Sequence, residues 1–315
     1  MPIYNIIIAF IVGSILHFVI QKIFIFYKKF DAFNQRSSHM TLATRTGGIG
    51  LFFTLLILST YNYLNGVEIF DYSLFIPLGI MFFIGVYDDF YNADFKLKFF
   101  LQIIVAKILI DQGLIISNYY GLFGLYEIPH LLAQITTVFV FLVIVNSINF
   151  IDGIDGLAIS QIIKSIFLIE LFSLQLTPLA PLSFIVLGAI LPLYYFNFKK
   201  TRKVFLGDSG SLFLGTIISI YIFFILGNDF YFLDDMVVNK TLFTILILIY
   251  PLIDLLRVFI LRLRNKKSPF YPDKNHLHHL SLKKLKNKQG LTVVFIQLSE
   301  LLLFFTIFFI YKKFQ

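Results

Sequence analysis

No cysteine occurs anywhere in the 315 residues. That removes disulfides and any thiolate metal site, and leaves the redox compartment open. Charge is also scarce: 14% of the residues are Asp, Glu, Lys or Arg, against 58% hydrophobic with 40 Phe among them. A soluble domain runs nearer about 45–50% apolar, so a water-soluble globular chain is excluded. There is no internal repeat, and no stretch between the apolar runs is long enough for a separate soluble domain. The first run, IYNIIIAFIVGSILHFVIQKIFIFY, lacks the basic start and small-residue cleavage site of a signal peptide and is read as a retained span. Acids are the rarer charge, 18 against 26 Lys and Arg, for a net +8. In a soluble protein that excess would suggest nucleic acid; here loop lysines account for it, and no nucleic-acid partner is expected.

A membrane-crossing helix takes roughly 20 mostly apolar residues. Ten such segments are predicted, near 3–26, 47–64, 73–87, 97–117, 131–149, 157–176, 178–196, 211–227, 241–261 and 291–311. The expected fold is all-α: a polytopic integral membrane protein with about ten transmembrane helices, forming a single transmembrane domain over 1–315. Ten spans divide the loops into two sets. One set, 22–46, 88–98, 146–157, 197–210 and 262–290, holds most of the 26 Lys and Arg; the other carries only Lys240. Basic loops stay on the cytoplasmic side, so the first set is expected to face the cytoplasm. Asp88, Asp89, Asp94, Asp152, Asp155, Asp208 and Asp273 lie in or at the edge of that set, with Asp254 close to it. These carboxylates are expected to meet in one cytoplasmic-side active-site cleft.

Four segments carry the chemistry. In NSINFIDGIDGLA (146–158), Asn146, Asn149, Asp152 and Asp155 recur at a three-residue spacing that predicts one face of a helical turn. One Asp-Gly pair could be an ordinary helix cap. Two pairs after two spaced asparagines, in a loop without Lys or Arg, point to binding, because polar groups at membrane depth are costly otherwise. In VFLGDSGSLFLG (204–215), Asp208 precedes a Gly/Ser turn that opens a span. Free N–H groups at a helix start suit phosphate, but Asp208 would repel it unless a divalent cation lay between them. LRLRNKKSPFYPDKNHLHHLSLKKLKNK (261–288) surrounds His276, His278 and His279 with Arg and Lys. Zinc is disfavoured there, since no Cys accompanies the histidines and adjacent His278 and His279 are expected to diverge. Phosphate or sugar binding is preferred. DAFNQRSSHMTLATRTGGIG (31–50) adds Arg36, His39 and Arg45 as cationic donors. Hard carboxylates facing cationic donors select Mg²⁺ or Mn²⁺ and suit phosphoryl or pyrophosphate chemistry.

In order along nearly the whole chain, these residues resemble the polyprenyl-phosphate N-acetylhexosamine-1-phosphate transferases, glycosyltransferase family 4. The resemblance rests on R-x-x-H at Arg36 and His39, the pair Asp88-Asp89, and N-x-x-N-x-x-D-G-x-D-G-L-A at 146–158. It continues through F-x-G-D-S-G-S-x-x-L-G at 205–215, P-x-x-D-x-x-R at 251–257 and S-P-F-x-P-D-K-x-H-x-H-H at 268–279. The His-x-His-His pattern, in place of three consecutive histidines, is nearer the GlcNAc-type members than the muramoyl-pentapeptide enzyme. The resemblance implies transfer of a HexNAc-1-phosphate from a UDP-sugar to undecaprenyl phosphate, with release of UMP, as a first membrane step of a cell-surface glycan. It implies the bacterial inner membrane, UDP-HexNAc and undecaprenyl phosphate as partners, and Mg²⁺ as cofactor with Mn²⁺ as a substitute; a homodimer stays open. Asp88 and Asp89 would be catalytic, and Asp208 with Asp89 would serve the metal. Asn149, Asp152, Asp155 and Phe205 would line the nucleotide side. Arg264, His276, His278, His279, Arg36 and His39 would contact sugar or phosphates.

Two other classes compete. A transporter of polyprenyl-linked lipid would place its acids near mid-membrane in repeated halves. An aspartate-rich prenyltransferase would show paired D-x-x-x-D clusters, which are absent.

Overall fold

The computed structural model describes residues 2–31, 42–173, 176–227, 239–268 and 275–313. Arg36, His39 and Asp273 lie outside the described residues. In chain order the elements are α1 (Pro2–Phe26), β1 (Ala43–Thr44), α2 (Gly47–Leu64), α3 (Phe75–Tyr91), α4 (Phe95–Asp111), α5 (His130–Ile151) and α6 (Leu157–Leu171). Then come α7 (Ala180–Asn197), β2 (Lys203–Val204), α8 (Gly207–Gly227), α9 (Lys240–Ile247), α10 (Ile249–Arg264), α11 (Leu277–Lys284) and α12 (Gln289–Lys313). The chain divides into two compact units, Met1–Asp94 with Leu176–Leu214, and Phe95–Gln175 with Gly215–Gln315.

The nearly all-helical expectation holds, with seven helices long and apolar enough to cross a membrane, or eight if α9 and α10 form one bent span. Of the ten segments predicted, α4 has 17 residues and α6 has 15, and neither is among those seven. The segment predicted as 97–117 ends its helix at Asp111, because Gly113 takes φ +85°. The segment predicted as 73–87 instead runs to Tyr91, so Asp88 and Asp89 sit in the last turn of α3. Asn92, left-handed at φ 52°, ends it.

In the first unit α1 lies along α7. Small residues meet at the crossing, with Gly13 against Ala189 and Gly188 against Ile6 and Ala9. In lipid no hydrophobic force drives helices together, so close backbone approach supplies the packing. Phe52 of α2 stacks on Phe82 of α3 at 4.0 Å. Among the described residues of this unit, a parallel ladder pairs Ala43 with Lys203 and Thr44 with Val204. Backbone bonds extend it: Phe205 donates to Thr44 (2.8 Å), and Gly47 donates to Phe205 (2.9 Å). Strands of two residues show no period in a sequence, whereas here they tie the entry of α2 to the entry of α8.

In the second unit the chain bends by 72° between α9 and α10. Pro251 is the third residue of α10, where a missing N–H costs nothing. The broken ends are held by side chains. Gln161 of α6 donates to the Ile247 carbonyl (3.0 Å) and to Glu300 of α12 (3.1 Å). The Tyr250 N–H donates to Glu300, and Lys164 pairs with Glu300, both side chains nearly buried. Breaks at membrane depth are tolerated where neighbouring helices satisfy the freed backbone in this way.

Candidate active site

The first unit builds its acidic cluster around the start of α8. Gly207 takes φ +74°, and a Cβ there would sit 2.7 Å from an Asp89 oxygen, so only glycine fits. Asp89 reaches from α3 and accepts two N–H groups of the first turn, from Asp208 at Oδ1 and Ser209 at Oδ2, both at 3.0 Å. A carboxylate there satisfies orphan donors and opposes the positive helix end. It also holds the half-buried Asp208 next to it, and the two acids repel. Arg45, fixed between β1 and α2, compensates them: its guanidinium is 2.8 Å from Asp31 and 3.7 Å from Asp89. Burial opposes the Arg45 charge, yet Asp31, Asp89 and Asp208 hold it above its ordinary value. A cavity of about 340 Å³ opens here, lined by Lys29, Asp31, Arg45, Asp89 and Asn92 among phenylalanines. Asp88, one residue earlier, accepts the Ala93 N–H at 2.7 Å. Phe205 is half-buried between the ladder and α8.

The second unit gathers the other polar motifs. Asn146 and Asn149 belong to α5, but Asp152 is its C-cap and Asp155 lies in the turn before α6. The single helical face predicted for these four residues is therefore interrupted, because Gly156 takes φ +78° and turns the chain. Asn146 donates to Gln102 at 2.8 Å, Asn149 and Asp152 are half-buried, and Asp155 is buried. Gly153 packs against His278: a Cβ there would lie 2.3 Å from His278 Nε2. The Asp-Gly turn and the histidine segment thus meet.

His276 caps α11; its ring stacks on that of His278, which lies tilted against His279. His278 and His279, expected to diverge, have ring centroids 4.3 Å apart. Burial, then neighbouring His279 and His276, pushes His278 well below its ordinary value and keeps it neutral. Beneath them Asp254, fully buried in α10, accepts His276 Nδ1 at one oxygen and the Leu277 N–H at the other, both at 2.7 Å. Among the described residues, Asp254, His276 and His278 are the one group of three whose ligand atoms lie within 4.8 Å of one another. Arg264, named from sequence, is exposed at the end of α10. Arg262 is instead the buried cation, 3.4 Å from His276 Nε2 and 5.7 Å from the Phe150 ring centre. It closes an apolar cavity of about 320 Å³ lined by Phe99, Phe139, Phe150, Leu255 and Phe259.

Sequence reasoning gave Asp254 a place among the converging carboxylates but no individual role, and gave none to Asp31 or Arg262. Asp254 had a signal, an acid inside an apolar run; Asp31 and Arg262 look like ordinary loop-edge charges.

Comparison with known proteins places the chain. Residues 72–227 match the sequence profile of "Glycosyl transferase family 4". The chain is 30% identical over 313 residues to the "Probable undecaprenyl-phosphate N-acetylglucosaminyl 1-phosphate transferase" of Bacillus subtilis (strain 168), covering 93% of this chain and 82% of that one. It is 29% identical over 274 residues to the "Decaprenyl-phosphate N-acetylglucosaminephosphotransferase" of Mycobacterium tuberculosis (strain CDC 1551 / Oshkosh), covering 78% and 67%. It is 28% identical over 279 residues to the "Undecaprenyl-phosphate alpha-N-acetylglucosaminyl 1-phosphate transferase" of Yersinia pestis, covering 84% and 73%. With its motifs in order and a relative this similar along most of both chains, the protein belongs to glycosyl transferase family 4, among the polyprenyl-phosphate N-acetylhexosamine-1-phosphate transferases, and is a phospho-sugar transferase.

Proposed function

We propose that the protein transfers GlcNAc-1-phosphate, or a 6-deoxy-HexNAc relative, from a UDP-sugar to undecaprenyl phosphate and releases UMP. The reaction takes place at the cytoplasmic face of the bacterial inner membrane, in a cleft that receives both substrates, and begins a cell-surface glycan. One observation carries the reading: Asp89 caps the start of α8 with both oxygens and so holds Asp208 beside the Arg45 guanidinium. A pyrophosphate needs carboxylates able to hold a metal and a fixed cation together; Asp208 and Asp89 would supply the first and Arg45 the second.

Mg²⁺ suits these residues. It binds through one or two carboxylates and completes its shell with phosphate oxygens and water, so a cage of three protein acids is not required. Asp208 would hold it, with Asp89 ordering the helix start beside it; when bound, the ion would neutralise charge on the pyrophosphate. The acceptor phosphate has a second pKa of about 6 and is largely dianionic at neutral pH. Asp88 therefore orients the acceptor; a strong general base is not needed, and alignment with charge neutralisation supplies the catalysis. The lipid phosphate attacks the donor phosphorus directly and UMP leaves. Asn149, Asp152, Asp155 and Phe205 hold the nucleotide, while His276, His278, His279, Arg264, Arg36 and His39 contact sugar and phosphates. The apolar cavity beside Arg262 suits isoprenoid units.

The test is purified protein in nanodiscs with undecaprenyl phosphate, Mg²⁺ and a panel of UDP-HexNAc donors, read as UMP release. UMP appearing only when lipid, donor and metal are all present supports the reading. No release from any donor overturns it.

A further inference from the structure

The P-x-x-D-x-x-R segment of α10 has no role in the chemistry above, yet its two charged residues converge on one place. Asp254 takes the Leu277 N–H at Oδ1 and His276 Nδ1 at Oδ2. One turn on, Arg257 donates to the Asn275 carbonyl at 2.5 Å. Three consecutive residues at the start of α11 are thus fastened to α10.

The protons on His276 follow from its partners. A guanidinium only donates, so His276 Nε2, 3.4 Å from Arg262 Nη2, accepts. Nδ1 then carries the ring proton and donates it to Asp254. Donation thus runs in one direction, from Arg262 to His276 and from His276 to Asp254. Phe150 packs edge-on to His276 at 5.6 Å and beneath Arg262, which limits rotation of both.

We infer that Asp254 is a positioning residue: by holding the proton on His276 Nδ1 it aims the Nε2 lone pair at Arg262 and so fixes this cation for a phosphate oxygen of the substrates. The inference rests on the proposed function, since it assigns Arg262 to that reaction. A metal ion on Asp254, His276 and His278 is the competing account of the same cluster. Both Asp254 oxygens already accept N–H groups, and an ion on Nδ1 would force the proton to Nε2, donor against donor with Arg262.

The ring state can be read without substrate. Solid-state ¹⁵N NMR of histidine-labelled protein in proteoliposomes, with His276 assigned by difference from His276→Gln, should show the Nδ1–H tautomer. In Asp254→Asn the amide keeps an oxygen for Leu277 but turns a donor to the ring, and the proton should move to Nε2. Turnover of that variant should fall by about 10–100-fold, the usual loss for an outer-shell partner of a functional imidazole. The KM for the UDP-sugar and the melting temperature should stay near wild type. Asp254→Asn/His276→Gln should lose no more than the worse single variant, because the two act as one unit. Nε2–H in the wild type, stoichiometric zinc surviving purification, or multiplying losses in the double variant would each overturn the inference. If Asp254→Asn does not fold, the wild-type ring state still decides. Absence of UMP release from the wild type would instead sink the proposed function, leaving the ring measurement to stand by itself.

Discussion

Both units use a buried aspartate to receive the first turn of another helix, and they use it differently. Asp89 places both oxygens on backbone N–H groups of α8. Asp254 places one on the backbone of α11 and the other on an imidazole. The first acid therefore fixes where the helix begins, with Arg45 balancing its charge. The second also fixes the protonation of a side chain. A helix start exposes several unpaired donors, so an acid that satisfies them supports the fold and orders the site at once.

The largest expected effect lies at α8. Asp208→Asn should abolish turnover and flatten its response to added Mg²⁺; near-normal Mg²⁺-dependent UMP release would remove Asp208 from the metal role. Asp89→Asn should lower kcat by about 10²–10³-fold, the scale for one misplaced preorganised group. A much smaller loss than in Asp254→Asn would break the comparison.

Next comes the bend that carries Asp254. Lys164→Met leaves Glu300 buried without its cation and should cost about 3–5 kcal/mol, whereas Lys164→Met/Glu300→Gln, which removes the stranded charge but keeps an acceptor for Tyr250, should regain most of it. Chemical unfolding in detergent reads both. Equal stability of the two variants would show that the pair does not brace the bend.

The glycines separate the two helix starts. Gly207→Ala meets a left-handed φ and an Asp89 oxygen, and should cost about 1–2 kcal/mol from the backbone alone. Gly153→Ala meets no left-handed φ and no backbone atom, only the edge of the His278 ring. It should cost less stability and should show mainly as a raised donor KM.

The smallest effect at neutral pH comes from the histidine cluster, which shows only on acidification. His278 faces Asp254 at 4.0 Å as well as His276 and His279, and its folded value lies well below 6.5. Below pH 6.5 the unfolded chain takes up a proton that the folded chain refuses. Stability should thus be full above that pH and fall by about 1.4 kcal/mol per unit beneath it, until the folded value is reached. Replacing His278 by Leu should remove that slope; an unchanged slope would place the titration elsewhere.

Many polar residues of the candidate site could be picked out beforehand. Asp88-Asp89, the Asp-Gly pairs, G-D-S-G-S and the histidines stand out because polar residues inside apolar runs need partners. Their partners were not legible. Asp89 meets Asp208 and Ser209 across more than a hundred residues, and no periodicity encodes that separation. Arg264 and Arg262 are equally basic in sequence; only packing against Phe150 and His276 buries one and leaves the other exposed.

The residues by themselves determined the membrane class, the nearly all-helical fold and the family, because hydrophobic run length and motif order are linear properties of the chain. Tertiary structure decided how far each helix runs, where α9 and α10 break, and which aspartate oxygen meets which donor. Those outcomes depend on which neighbour satisfies each backbone group in a medium without water, and that neighbour is distant in sequence.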